Sequence, residues 1–275
     1  MGELPQITIV TPSYNQAEYL ESTLMSVLNQ GYRNLEYIVM DGGSTDGSVE
    51  IIRRYAHRLA HWESGPDQGQ ADAINRGFER GTGEILGWIN SDDIMLPGCL
   101  HKVARWFVDH PDDEWVVGGT VYIDGEGKPI RGHRIPAICC DLARPITLNS
   151  LLFYGGAFSQ PASFWRRTAY QAVGRLDASY DFAMDYQFYL RLASRRPSGH
   201  LPEYLACYRF HAKTKTSTMQ QVRWSEHSRA DRNFSQSLRN SLFRSIARLW
   251  YTAGAHCRVQ YSRALHYLCL KRCPI

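Results

Sequence analysis

The chain of 275 residues has no run of apolar residues approaching the 18 or so that a bilayer span needs, so we expect no transmembrane helix. Its first residues lack the basic start and apolar segment of a secretory signal. No Gly-x-Gly-x-x-Gly follows the first predicted strand, and no Gly-x-x-x-x-Gly-Lys-Ser/Thr occurs at all. These absences exclude the dinucleotide fingerprint and the P-loop, so any bound phosphate must be held by a metal and by side chains.

The seven cysteines have no repeated zinc-type spacing, and their scatter is typical of reduced thiols in a cytoplasmic protein. With 44% hydrophobic and 21% charged residues, the composition is that of an ordinary globular protein. The net charge of +4 is unevenly distributed, because residues 219–275 hold ten Lys or Arg against two acids, Glu226 and Asp231. This tail therefore carries +8 and the rest of the chain −4, which favours contact between the tail and an anionic surface.

The first 90 residues alternate between short β-rich runs and segments with helical spacing of apolar residues. The predicted strands are Ile7–Thr11, Leu35–Met40, His61–Ser64 and Ile85–Ile89, and the predicted helices are residues 17–30, 49–56 and 71–81. This order predicts an α/β fold with a mixed, mostly parallel sheet flanked by helices. Right-handed crossovers bring the strand-to-helix loops to one edge, where such sheets bind ligands.

The second half of the chain has a more mixed pattern. The elements we predict there are a helix at 98–109, a hairpin of Trp115–Asp124 with Pro129–Ile135, a strand at Phe158–Trp165, helices at Arg166–Ala172 and Phe182–Ser194, a strand at Leu205–Phe210, and helical structure from Ser217 to near the end of the chain. We therefore divide the chain into residues 1–218, with halves 1–98 and 99–218, and a basic helical extension, 219–275.

Polar clusters follow the predicted strands at Thr11–Tyr14, Asp41–Asp46, Gly65–Gln70 and Asn90–Asp93. Two adjacent carboxylates after a buried strand are costly without a cation, and Mg²⁺ bound to a diphosphate takes one or two carboxylates. The alternative for Asp92 and Asp93 is a solvated turn that caps the next helix. Asp41 is suited to accept hydrogen bonds from a base or ribose, or to form an Asx turn.

Two further positions in the second half are candidates for a catalytic or a metal-binding role. Asp185 lies near the start of a predicted helix among apolar residues, where burial would raise its pKa towards that of a general base; the alternative is an acid that complements the helix dipole. His211 follows a predicted strand and is either a metal ligand or a surface histidine. Arg209, Lys213 and Lys215 could neutralise a diphosphate or remain solvated.

Taken together, four segments resemble the family 2 glycosyltransferases of GT-A fold. They are residues 7–15, 39–48, 66–77 and 88–93, which follow one another at the family's usual separations. The resemblance implies a nucleotide-sugar donor, most commonly a UDP-sugar, a divalent cation (Mn²⁺ or Mg²⁺), and transfer with inversion to a hydroxyl of a glycan or a lipid-linked acceptor. It also implies that residues 1–98 bind the donor and residues 99–218 the acceptor.

The resemblance carries roles to individual residues. The positions that would bind the nucleotide-sugar are Thr11, Pro12, Tyr14, Asp41, Asp67, Gln70, Asn90 and Asp92. Asp93, with Asp92 and His211, would hold the metal, and Asp185 would be the general base. Asn90 stands where the family more often has aspartate, and Met184-Asp185 where it usually has Glu-Asp.

Two other function classes fit the sequence less well. A sugar-nucleotide nucleotidyltransferase needs a glycine-rich basic loop after the first strand, and Thr11–Asn15 contains neither glycine nor Lys or Arg. A nucleic-acid-binding protein would show a known motif or a basic groove with interleaved aromatic residues, which the tail lacks, so we expect no nucleic-acid partner.

The tail from residue 219 has apolar residues at helical spacing with arginines between them. Such a segment can lie on anionic lipid, which would place the protein on the inner face of the cell membrane, or pack against the body of the protein with a basic outer face. The tetrapeptide Gln221-Val222-Arg223-Trp224 is one residue shorter than the Gln-x-x-Arg-Trp motif of processive polysaccharide synthases. On that basis we expect a transferase that adds a single sugar.

Overall fold

The computed structural model describes residues 4–130, 145–154 and 160–235. Its strands are β1 (Ile7–Ser13), β2 (Leu35–Asp41), β3 (His61–Ser64), β4 (Ile85–Trp88), β5 (Ile94–Met95), β6 (Trp115–Ile123), β7 (Ser163–Arg166) and β8 (Gly199–Arg209). Its helices are α1 (Ala17–Leu28), α2 (Ser48–Tyr55), α3 (Gln70–Arg80), α4 (Cys99–Asp109), α5 (Leu148–Tyr154), α6 (Arg167–Val173), α7 (Met184–Arg195), α8 (Lys215–Thr218) and α9 (Gln220–Ser235).

The strands form one sheet in the order β3-β2-β1-β4-β7-β6-β8-β5. The first four in this order are parallel, β7 is antiparallel to both β4 and β6, and β8 runs parallel to β6. The prediction of a mixed sheet with a parallel first half is therefore confirmed. The carboxyl ends of β1, β2 and β4 meet at one edge, as right-handed crossovers require.

Alternating side chains along β1 and β2 fill two cores, one on each face of the sheet. Ile9, Tyr37 and Val39 pack with Leu20 and Leu24 of α1. On the other face, Val10, Ile38 and Met40 pack with Ile74 and Phe78 of α3. Because helices cover both faces, the strands read as nearly continuous apolar runs, and only their ends are polar.

Gly77 of α3 lies directly against β1, where a Cβ would stand 2.5 Å from Cγ1 and 2.8 Å from Cγ2 of Val10. We expect Gly77→Ala to lower the free energy of unfolding by about 1–3 kcal/mol, because overpacking outweighs the gain in helix propensity. Thermal and urea unfolding measure the change. Gly65→Ala, whose Cβ would meet open space, is the matched control and should be nearly neutral; equal stability of both variants would contradict close packing of α3 on β1.

Several boundaries in the second half differ from those predicted. β8 begins at Gly199 rather than Leu205, because its first residues pair with β6 although their sequence is polar. Of the expected hairpin, β6 is present, and Ile123 forms a single antiparallel bridge with Pro129. The rest of its second strand, the start of the predicted 158–165 strand, and residues 236–275 lie outside the described residues.

The end of the described chain packs on the body of the protein. α9 contacts α7, and its Ala230 is fully buried. For residues 220–235 the structure therefore shows the packing alternative, and the boundary we placed after residue 218 does not coincide with a break in packing. None of the helices in the described part of the chain is long and apolar enough to span a bilayer.

Candidate active site

The loops after β1 and β2 are tied to each other by side chains of the 41–48 segment. Asp46 accepts the Ala17 N–H at 2.9 Å and the Ser48 N–H at 3.1 Å, which satisfies an open donor at the start of α1. The Asn15 N–H donates to Ser44 Oγ at 2.8 Å, and Asn15 has a positive φ of 51°. Sequence analysis predicted ligand contacts for this segment, and the structure shows that it also joins the two loops at the carboxyl edge of the sheet.

Asp41, at the end of β2, is almost fully buried and is held by its own chain. Its Oδ2 accepts the N–H groups of Gly43 and Ser44 and the hydroxyl of Ser64, and its Oδ1 accepts the Ser44 hydroxyl at 2.6 Å. The Asx-type turn considered from the sequence is therefore present. A contact from Asp41 to a nucleoside stays a prediction, and Oδ1 is the atom with a free lone pair.

Tyr14 and Asp67 come together over Gly42. A Cβ at Gly42 would lie 2.9 Å from Asp67 Oδ2 and 3.3 Å from Tyr14 Cδ2, so only a glycine lets these side chains approach the end of β2. Tyr14 is 64% exposed, which is unusual for a large aromatic residue at a strand end. The two residues therefore form an open aromatic and acidic surface beside the strand ends.

Thr11 does not face this surface. Its side chain is fully buried and its hydroxyl is hydrogen-bonded to the Tyr37 hydroxyl at 2.8 Å. Alternation along β1 points this hydroxyl into the core, so a contact of Thr11 with the donor, which stays a prediction, would have to come from its backbone. Pro12, next along the strand, is also buried.

The segment after β4 is joined to the start of α3 by amide side chains. Gln70 donates through Nε2 to Asn90 Oδ1 at 2.8 Å, and Asn90 in turn lies 3.3 Å from Asp93 Oδ2. Gln160, which follows no recognisable sequence pattern, approaches Asn90 at 3.4 Å and donates to the Trp88 carbonyl at 2.7 Å. Sequence reasoning missed Gln160 because its contact spans 70 residues.

Asp92 and Asp93 lie in the turn after β4, which the Asp93 N–H closes by donating to the Asn90 carbonyl at 3.1 Å, and their side chains have different partners. Asp93 is 1% exposed, and its Oδ1 accepts the Arg209 N–H at 2.9 Å. Burial, and then the charge of Asp92, raise the pKa of Asp93 well above its ordinary range. The Asp93 carboxylate is thus directed to donors of its own chain, and its role as a metal ligand together with Asp92 and His211 stays a prediction.

Asp92 instead meets His211. Asp92 Oδ2 lies 3.0 Å from His211 Nε2, and the imidazole rests on the Tyr19 ring at 4.6 Å between centroids. Arg209 supports this pair from behind: its Nε donates to the Asp92 carbonyl at 2.8 Å, and its guanidinium lies 4.9 Å from the centre of the Tyr19 ring. The suggestion that Arg209 neutralises a diphosphate is therefore wrong, since Arg209 is 5% exposed and bonded to backbone carbonyls.

This pair fits a divalent cation that takes its other ligands from a substrate. In the described part of the chain, no three His, Cys, Asp or Glu side chains gather around one point. The 3.0 Å contact between Asp92 and His211 is that of an ordinary hydrogen bond, and it places one carboxylate beside one imidazole as candidate ligands. Mn²⁺ and Mg²⁺ both accept such oxygen and nitrogen ligands.

Asp185 occupies the second position of α7, and burial raises its pKa to about 6, despite the Tyr186 N–H bond and the charges of Lys215 and Arg223. Tyr208 lies within electrostatic reach of both Asp185 and Asp93. Burial raises the pKa of Tyr208, and the charges of Asp93 and Asp185 both add to that shift. A carboxylate with a pKa near neutrality is suited to proton abstraction. Lys215 is turned to the Asp181 carbonyl at 2.8 Å.

One residue near Asp185 was counted in the sequence only as an acid of the tail. Glu226 of α9 accepts three backbone N–H groups just before α7.

The beginning of α9 also corrects an expectation, because counting from Gln220 gives Gln220-Gln221-Val222-Arg223-Trp224, a complete Gln-x-x-Arg-Trp. The expectation of single addition therefore loses its basis.

Comparisons with known proteins agree on one family. The family model described as glycosyl transferase family 2 matches residues 8–181. An uncharacterized glycosyltransferase of Mycobacterium tuberculosis is 30% identical over 199 residues, covering 70% of this chain and 71% of the relative. One from Haemophilus influenzae is 34% identical over 131 residues, covering 46% of this chain and only 52% of the relative.

Solved structures share the fold. TarS 1–349 of S. aureus in complex with UDP matches 86% of this chain and 67% of its own, with a TM-score of 0.64 and 17% identity. The mannosyltransferase PcManGT from Pyrobaculum calidifontis, in complex with GDP-Man and Mn²⁺, matches 98% of this chain and 75% of its own, with a TM-score of 0.63 and 19% identity. The sheet, its functional edge and the family match lead to one conclusion: the chain belongs to glycosyltransferase family 2 and is a glycosyltransferase of GT-A fold.

Proposed function

We propose that the protein transfers a sugar, with inversion, from a nucleotide-sugar to a hydroxyl of its acceptor, assisted by Mn²⁺ or Mg²⁺. The observation that carries this proposal is the Asp92–His211 pair, whose aspartate follows β4 at the carboxyl edge of the sheet, the edge at which Tyr14 and Asp67 meet over Gly42. UDP and GDP-mannose are bound by the structural neighbours, and we favour a UDP-sugar as donor.

The donor lies, in this proposal, along the edge from β2 to β4. The Tyr14 ring covers the base, while Asp41 and Asp67 accept hydrogen bonds from the nucleoside. Pro12 shapes the floor, and Gln70 and Asn90 offer amide groups to the diphosphate or the sugar. When bound, the divalent cation between Asp92 and His211 neutralises charge that develops on the diphosphate.

The acceptor hydroxyl approaches from the side of α7, where Asp185 removes its proton. The acceptor oxygen forms a bond to the anomeric carbon on the face opposite the diphosphate. The bond between that carbon and the diphosphate oxygen breaks, its electron pair leaves with the nucleoside diphosphate, and Asp185 ends protonated. A pKa near 6 keeps Asp185 ionised at neutral pH and still basic enough to act.

We also propose that the acceptor is a glycan or a lipid-linked sugar and that the protein acts at an anionic membrane surface in the cytoplasm. The support is the +8 charge of residues 219–275. Since residues 220–235 pack on the protein, the membrane contact would have to come from the segment beyond them. Sedimentation with anionic and with neutral vesicles tests this, and equal pelleting with both would refute it.

The donor assignment is tested by thermal unfolding with UDP, GDP, UDP-GlcNAc and GDP-mannose, each with and without Mn²⁺. A ligand at 100 times its dissociation constant stabilises the folded state by about 2.7 kcal/mol, so binding raises the unfolding temperature. We expect a shift that requires Mn²⁺ and is largely lost in Tyr14→Ala. Trp224→Ala is the control, because Trp224 is as exposed as Tyr14 (63% against 64%) but lies on α9. No shift with any of the four ligands would contradict the proposal.

A further inference from the structure

The turn that leads into α7 is held by a residue of α9. Glu226 Oε1 accepts the Asp181 N–H at 2.9 Å, and its Oε2 accepts those of Phe182 at 2.8 Å and Ala183 at 2.9 Å. The first N–H groups of a helix have no partner within the helix, and α7 has no capping side chain of its own. Of the three N–H groups that Glu226 accepts, that of Ala183 belongs to the N-cap and the other two to the turn just before it, and Glu226 reaches them from more than 40 residues further along the chain.

The same helix also contacts the residue that follows Asp185. The His227 ring stacks on Tyr186 with 4.4 Å between centroids and 12° between planes. The Tyr186 hydroxyl donates to Asp231 at 2.7 Å. Asp185 therefore lies between the turn 181–183, whose backbone is held by Glu226, and Tyr186, whose side chain contacts α9. Its Oδ1 accepts the N–H of Tyr186 at 2.6 Å.

Glu226 is unsuited to be the base itself. It is 9% exposed, and its hydrogen bonds from three N–H groups hold its pKa below the ordinary value despite burial. Its charge nevertheless matters to its neighbour, because an anion at the start of α7 offsets the positive end of the helix dipole. Without it, that dipole would stabilise the ionised form of Asp185 and make it a weaker base.

We infer that Glu226 is a positioning residue, which holds the turn that leads into α7 and thereby sets the orientation and basicity of Asp185. The inference rests on the proposed function, in which Asp185 is the base. It assigns a role in catalysis to a helix beyond the family match, which ends at residue 181. The residue just before the base, Met184, is buried and apolar, so the polar support of this turn comes from α9.

The charged and titratable groups around Asp185 determine how its pKa responds when Glu226 is neutralised. They are Lys215 of α8, Arg223 and Glu226 of α9, Tyr208 of β8 and Tyr189 of α7. Removing the negative charge of Glu226 leaves the two cations less opposed, and loosening of α9 would let water reach Asp185. Both changes lower the pKa of Asp185.

The test compares Glu226→Gln, which keeps the shape and removes the charge, with Asp231→Asn, which removes the other acid of α9. Aspartate carboxyl ¹³C resonances are titrated in each protein, with Asp185→Asn identifying the signal. We expect the pKa of Asp185 to fall by about one unit in Glu226→Gln, to stay unchanged in Asp231→Asn, and to recover in Glu226→Asp. Release of UDP from UDP-GlcNAc, with water as acceptor, should fall about 10- to 100-fold in Glu226→Gln without a change in KM for the donor.

The outcomes separate this inference from the proposed function. An unchanged Asp185 titration in Glu226→Gln would overturn the inference while leaving Asp185 as base. An equal shift in Asp231→Asn, with equal loss of unfolding temperature, would also overturn it, because Glu226 would then only help α9 to pack. Wild-type turnover by Asp185→Asn would remove the base from the proposed function, and the carboxyl titration would still report whether Glu226 sets its pKa.

Discussion

Replacing Asp185 with asparagine is expected to reduce sugar transfer by about 10²–10⁴-fold, the usual contribution of a positioned general base. Asparagine keeps the Oδ1 that accepts the Tyr186 N–H, so the start of α7 should hold its shape. The residues proposed to contact the nucleotide lie at the ends of β1, β2 and β4 and none of them on α7, so nucleotide affinity should be unchanged. Loss of turnover without loss of binding is the expected signature.

The pKa of about 6 gives this prediction a pH dependence with a definite sign. Activity requires the ionised carboxylate, so the rate should fall as pH drops through about 6. The folded-state pKa lies above the ordinary 3.8, so ionisation lowers stability as pH rises between these values, by about 2–3 kcal/mol at most. Asp185→Asn removes that cost and should unfold at a higher temperature than the wild type at pH 7.5, but not near pH 4.

Asp181→Asn provides the control, because Asp181 is an exposed acid on the same turn and bonds to its surroundings through its backbone. It should keep the wild-type rate and pH profile. Titration calorimetry with nucleotide and Mn²⁺, rate measurements from pH 5 to 8, and thermal unfolding at pH 4 and at pH 7.5 cover the three readouts. A wild-type rate in Asp185→Asn would exclude Asp185 as the base.

The first half of the fold could be predicted from the sequence because its signals are local. Strands such as Ile7–Ser13 are apolar on both faces, and the helices between them show an apolar stripe, so period and order alone give the parallel sheet. The polar clusters at strand ends then follow from topology. The structure places Tyr14, Gly42 and Asp67 together at this edge, as that reasoning requires.

The orientation of individual side chains could not be predicted in the same way. Nothing in the sequence shows that Thr11 turns to Tyr37, or that Asp93 points inward to the Arg209 N–H, since both partners are distant along the chain. The role of Glu226 could not be predicted either, because an acid in a segment with ten basic residues is interpreted as part of a cationic surface. Its role depends on a contact between α7 and α9 that no periodicity encodes.

The two adjacent aspartates provide the second large effect, because their surroundings differ: Asp92 meets His211, whereas Asp93 is buried against donors of its own chain. Asp92→Ala should abolish the Mn²⁺-dependent part of nucleotide binding and leave the stability of the fold nearly unchanged. Its side chain is 17% exposed, and the His211 ring that loses this contact, itself 6% exposed, stays packed on Tyr19. His211→Ala should weaken the same Mn²⁺ dependence, since one side of the proposed cation site is then missing.

Asp93→Ala should instead lower the free energy of unfolding by about 1–3 kcal/mol, because the buried Arg209 N–H loses its acceptor and the partly buried Asn90 amide loses one of its contacts. The contrast is measured by urea unfolding of each variant and by calorimetric titration of UDP in the presence and absence of Mn²⁺. If Asp93→Ala were fully stable and lost only its response to Mn²⁺, the two residues would have exchanged roles. The cation would then have to be held from the buried side of the segment, where Asn90 and Gln160 already occupy the space around Asp93.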